Sequence, residues 1–169
     1  MKVTVWQSLD LALRQITPVL VTLLTVIVAR LPMHVPHLMP VMPWLALVAV
    51  FYWAVHRPAL MPMPVVFAVG LFHDLLVGAP VGSGVLVLLL VHAVIAGQQR
   101  FFVSRSFPVL WSVFAVVALV AVTAHWAIGV VATGALLSPK PVVFQVLTTV
   151  AVYPLLTWVF AHVQRAVLR

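Results

Sequence analysis

The chain has 169 residues, of which 65% are hydrophobic and 7% charged, with a formal charge of +7 and no cysteine. Soluble domains carry roughly a quarter charged residues, so this composition excludes a water-soluble fold; the missing thiols also exclude disulfides and thiolate metal sites. The positive charge does not indicate nucleic acid, because Lys2, Arg14, Arg57, Arg100, Arg105, Arg165 and Arg169 are dispersed over the ends of apolar segments and form no patch.

Apolar stretches recur along the whole length and predict an all-α, polytopic membrane protein with six transmembrane helices in a single domain, residues 1–169. The first span is expected over 15–31, retained as a helix because no small-x-small cleavage site follows it. It ends in the loop Pro32–Pro40. The second, 41–55, stops at His56-Arg57-Pro58, and prolines 58, 62 and 64 forbid a continuous helix beyond it. The third, 63–78, leads into a Gly/Pro-rich turn, and the fourth covers 85–97.

The fifth apolar run, Phe107–Leu137, would measure about 46 Å as a helix, well over a ~30 Å hydrocarbon core. A span over 107–130 is therefore expected, with the tail after Gly129 lying along the interface because Gly129 and Gly134 weaken the helix. The sixth span is 142–163. Six spans put both termini on one side. Placing them in the cytoplasm leaves seven basic residues inside and only Arg30 and Lys140 outside. Trp44, Trp53, Trp111, Trp126 and Trp158 fall toward span ends, as interfacial aromatic belts do.

Asp74 is one of only two acidic residues, and it interrupts the apolar run Val65–Val77. A carboxylate at the bilayer centre costs about 2.5–3.5 kcal/mol on insertion scales, so it is expected to face protein rather than lipid. Gly70, Asp74 and Gly78 recur every fourth residue and share one smooth helix face that another helix can approach closely. Two structural roles follow for Asp74: an anchor for a neighbouring or partner helix, or a cap for the free N–H groups of the Gly78–Gly84 turn. Proton or ion chemistry would need a second ionisable group within the membrane, for which His92 and His125 are the candidates. Each of these is expected instead to bridge helices. His34 and His37 have no carboxylate nearby to complete a metal site. Ser83, in Gly82-Ser83-Gly84, has no motif fixing a base beside it, so no catalytic, cofactor-binding or metal-binding residue is expected. The positions expected to matter for partner binding or helix packing are Gly70, His73, Asp74, Gly78, Pro80 and Gly82. His56, Arg57, Pro58, Arg100 and Arg105 are expected in cytoplasmic docking loops.

Two stretches carry a resemblance. One is the end of span two, Phe51-Tyr52-Trp53-Ala54-Val55-His56-Arg57-Pro58. The other is the block Gly70-Leu71-Phe72-His73-Asp74-Leu75-Leu76-Val77-Gly78-Ala79-Pro80-Val81-Gly82, which opens into the Leu-rich Leu86–Val91. With these motifs the chain resembles the MreD family of rod shape-determining proteins, in its Gram-negative form, although Ser83 stands where an Asn would be expected. The resemblance implies an inner-membrane, non-enzymatic component of the cell-elongation machinery that helps regulate lateral peptidoglycan synthesis. MreC is implied as the nearest partner, through its membrane anchor, beside MreB, RodA and a penicillin-binding transpeptidase; self-association is left open. The implied fold is similar to the substrate-binding component of energy-coupling-factor transporters. A small-molecule (vitamin) binding component of such a transporter is the alternative function.

Overall fold

In a computed structural model, which describes residues 18–28, 42–135 and 138–167, the apolar segments fold as successive helices. These are α1 (Pro18–Val28), α2 (Leu45–His56), α3 (Met63–Val77), α4 (Ser83–Gly97), the short α5 (Gln99–Val103), α6 (Phe107–Thr133) and α7 (Lys140–Val167). A single 3-10 turn, Pro58–Leu60, joins α2 to α3, and no strand occurs among the described residues. The loop Pro32–Pro40, with His34 and His37, lies outside the described residues.

The bundle is organised around α2. Every residue from Ala46 to Val55 is buried, so this helix is apolar on all sides because protein surrounds it on all sides. Twelve residues reach only about 18 Å, but a helix screened from lipid need not match the hydrocarbon thickness. Helices α3, α4, α5 and α7 pack around it. Trp44 meets Thr149 at one end of α2, and Tyr52 meets Gln164 near the other, so α2 and α7 run parallel. The Tyr52 hydroxyl donates to Gln164 Oε1 at 2.8 Å. Phe51, Phe114 and Tyr153 interlock edge-on and stacked between α2, α6 and α7.

Helices α6 and α7, at 27 and 28 residues, are each long and apolar enough to cross a membrane. The outward surface is apolar as well: Leu75 on α3, Leu90 on α4, Val120 on α6 and Leu155 on α7 are all exposed. Water would not tolerate so much exposed hydrocarbon, and lipid does.

Three expectations need correction. The chain does not leave the helix at Gly129; α6 runs unbroken to Thr133 and stops at Gly134, whose φ of +64 makes it the left-handed residue that ends the helix. Gly129 is buried inside α6, where lost propensity is outweighed by packing. Trp44 and Trp53 are not interfacial belt residues, because both are buried, at 2% and 0% exposure. Helix α4 begins at Ser83, two residues earlier than Val85, and the reason lies in the capping described below.

A proline inside α7 shows how the bundle repairs a defect. Pro154 has no N–H to give to the carbonyl four residues back, at Val150. The indole N–H of Trp111 on α6 donates to that carbonyl at 3.1 Å. Trp111→Phe keeps the ring and removes the donor. It is expected to cost about 1–2 kcal/mol, read as a fall of a few degrees in melting temperature in detergent; an unchanged melting point would show that the bond contributes nothing.

Candidate functional site

Helix α3 buries one stripe, Val66, Val69, Gly70, His73 and Asp74, and turns Phe67 and Leu75 outward. The stripe lies against α4, and among the described residues these two helices form the most extensive pair. Gly70 is required by that approach: a Cβ there would stand 2.7 Å from the Val85 Cα. Close backbone approach between small residues is how helices associate in lipid, where apolar burial alone gives no preference. The Gly70/Asp74 strip is thus covered by a helix of the same chain. Gly78, one turn further, has nothing within 4 Å of where its Cβ would be.

The turn between the helices is built around Asp74. Its backbone carbonyl accepts Gly78 N–H at 3.0 Å and Ala79 N–H at 3.3 Å, closing α3, while Gly78 takes the left-handed conformation with φ +67. Its carboxylate crosses to the start of α4. There it accepts Gly82 N–H at 2.9 Å, Gly84 N–H at 3.1 Å and Val85 N–H at 3.4 Å.

A helix start leaves four N–H groups without intrahelical partners, normally satisfied in part by a Ser, Thr, Asp or Asn side chain at the cap position. Here that position is Gly82, with φ +100 and no side chain, so Asp74 supplies the missing oxygen from the neighbouring helix. The fourth group, Ser83 N–H, donates to Pro80 O at 3.1 Å, and the Ser83 hydroxyl donates to the same carbonyl at 2.7 Å. Every orphan N–H of α4 is accounted for, which lets the helix begin at Ser83. The carboxylate also faces the positive end of the α4 dipole, where negative charge is favoured. Gly84 must lack a side chain, since a Cβ there would collide with the Asp74 carboxylate.

Around this cap sits a cluster that the sequence reading did not assemble. His73 Nδ1 lies 3.5 Å from Asp74 Oδ1. The His73 ring stacks on Trp44, with centroids 5.3 Å apart, and Trp44 in turn lies 4.8 Å from the ring of His125. His125 enters the cluster from α6 through its contact with the Trp44 ring, and the Trp44 backbone N–H donates to Thr149 Oγ1 at 2.9 Å. His92 is buried elsewhere, beside the Met61 carbonyl of the α2–α3 connector. The only hint in the sequence was that each of these residues is polar or amphipathic within an apolar helix.

The expected docking residues collect at the opposite end, where α2, α4 and α7 finish. Arg57, Arg100 and Arg105 are exposed there, and the Arg105 guanidinium lies 4.3 Å from the Phe101 ring centroid. His56 is half-buried, stacked on Tyr52 at 4.2 Å, and Pro58 opens the 3-10 turn.

Among known proteins, the family model described as rod shape-determining protein MreD matches residues 11–166. No curated protein and no solved structure matches the chain. The family match spans nearly the whole sequence, and the chain belongs to the MreD family.

Proposed function

We propose that this MreD-family chain is a non-catalytic, multi-pass component of the bacterial inner membrane that holds the membrane anchor of MreC. In this reading it helps regulate lateral peptidoglycan synthesis with MreB, RodA and a penicillin-binding transpeptidase. Family membership supports the rod-shape role. The observation that carries the non-catalytic reading is the state of Asp74: its oxygens are occupied by three backbone N–H groups, and it is fully buried. A carboxylate so engaged and wholly shielded serves architecture and presents no accessible oxygen to a substrate.

Gly70, His73, Asp74, Gly78, Pro80 and Gly82 then act on the complex by fixing the α3–α4 hairpin. The contact with MreC falls on the outward apolar faces, which meet lipid in the isolated chain. Two helices of lipid-crossing length and four shorter apolar helices fit a compact bundle crossing six times. The arginine-rich end faces the cytoplasm by the charge rule, where Arg57, Arg100 and Arg105 are available to cytoplasmic partners. The vitamin-transporter alternative finds no support in the family match.

Purification of the tagged chain in mild detergent, with its companions identified by mass spectrometry, tests the reading. MreC and cell-wall synthases are expected in the eluate. An ATPase module recovered in their place would overturn it.

A further inference from the structure

Two features of the outward surface meet on α4. One is a groove of about 270 Å³ between α4 and α6, aliphatic throughout. Val87, Ile95 and Ala121 form its buried floor, and Leu90, Val94 and Val120 stand exposed along its rim. On α4 the groove runs from Leu86 to Ile95, about 14 Å of helix. That is close to half of a ~30 Å hydrocarbon core, the depth of one leaflet.

The other feature begins at the next residue. Residues 96–101, where α4 gives way to α5, line an open pocket of about 370 Å³ with Gln98, Gln99, Arg100 and Phe101 in its wall. Phe102 turns inward and fixes α5 against α2, while Phe101 and Val103 are exposed. The Arg105 guanidinium lies 4.3 Å from the Phe101 ring centroid. That contact holds the cation through the ring's π-face and leaves its N–H donors for another partner. Exposed apolar side chains beside exposed arginines suit the level where acyl chains meet headgroups.

Charge at this end of the bundle is unbalanced. Arg57, Arg100, Arg105 and Arg165 are exposed, and the only acid among the described residues, Asp74, is buried at the far end of α4. The chain's other acid, Asp10, lies outside the described residues, with Lys2 and Arg14 closer to it in sequence. An acidic protein segment would answer the arginines and leave the groove empty. A neutral lipid would fill the groove and leave the arginines unpaired. One molecule that answers both carries a negative headgroup on a hydrocarbon chain.

We propose that an anionic phospholipid of the phosphatidylglycerol class binds at the α4–α5 corner, with its phosphate on Arg100 and Arg105 and one acyl chain in the α4–α6 groove. The inference rests on membrane insertion and not on the MreC reading. It gives the two arginines a lipid partner in addition to any cytoplasmic one.

Native mass spectrometry of the purified chain, titrated in detergent with dioleoyl phosphatidylglycerol or dioleoyl phosphatidylcholine, reads the site directly. One saturable adduct is expected, with at least about tenfold preference for phosphatidylglycerol, since each arginine near an anionic headgroup contributes about fivefold. Arg100→Gln and Arg105→Gln should each reduce that preference about fivefold, and together abolish it. Both side chains are exposed, so the variants fold. Arg165→Gln removes the same charge from the same end, but from α7, which lines neither pocket nor groove. It should change the preference by less than about twofold. Ala124→Leu, in the half-buried wall of the groove, should weaken both lipids about fourfold and keep the preference. Equal retention of the two lipids, equal effects of Arg165→Gln and Arg105→Gln, or retention unchanged in Ala124→Leu overturns the proposal. So does a hexaglutamate peptide that binds more tightly than phosphatidylglycerol, which would assign the arginines to an acidic protein segment.

Discussion

Asp74→Leu is expected to lower the melting temperature of the detergent-purified protein by about 6–24 °C, and to reduce its level in membranes. Leucine leaves Gly82, Gly84 and Val85 N–H groups without the acceptor they now share. A buried donor stripped of its partner costs about 1–3 kcal/mol. The three together come to about 3–6 kcal/mol once the fringe position of Val85, at 3.4 Å, is weighed. For a chain of this size each kcal/mol corresponds to about 2–4 °C. Asp74→Asn retains one acceptor oxygen but loses the charge that faces the α4 dipole, and should fall about midway. Differential scanning fluorimetry on the three proteins gives the order directly. Equal melting points for Asp74→Leu and wild type would remove the cap from the account.

The second large effect is expected at Gly84, and its interest lies in comparison with Gly78. Gly84→Ala drives a methyl group into the Asp74 carboxylate, so it both overpacks the hairpin and displaces the cap. Overpacking alone costs about 1–3 kcal/mol, and a lost cap adds about 1 kcal/mol more. Gly78→Ala meets open space and is strained only by its left-handed backbone, φ +67, a cost of about 1–2 kcal/mol. Gly84→Ala should therefore melt below Gly78→Ala, even though backbone conformation alone would rank them the other way. The reverse order would mean that α3 and α4 are not in the close contact described.

How much of this could be read from the chain is clearest at α3. Its limits, 63–78 expected and Met63–Val77 found, follow from prolines before it and glycine after it, which act locally. The burial of Asp74 also followed, because a carboxylate in an apolar run has few alternatives. What covers it did not. A smooth strip every fourth residue makes the same demand of a helix in its own chain as of a helix in another, and spacing carries no information about which one answers. The structure puts α4 there at Gly70 and Asp74. The cap itself was legible as one of two roles, since an acid lies close before a turn with a glycine where a capping side chain would stand.

Other features were opaque for physical reasons. Trp44 and Trp53 read as belt residues because tryptophan near a span end usually is one, yet α2 is enclosed by protein and has no lipid face. Gly129 read as a break because propensity is a local property, whereas α6 is held through it by packing. The Trp44–His73–His125 cluster joins α2, α3 and α6, and no periodicity along one helix can announce a meeting of three. The repair of Pro154 by Trp111 is invisible for the same cause.

The central claim is that Asp74 acts by holding α4 against α3 and takes part in no reaction. Cell shape and folded protein level, measured side by side for Asp74→Asn, Asp74→Leu and Gly84→Ala expressed in place of the native chain, test it most directly. Loss of rod shape should follow loss of folded protein along one curve, with Asp74→Asn nearest to wild type in both. Round cells containing a fully stable Asp74→Asn protein at the normal level would contradict it, because the charge would then be needed for something other than the fold.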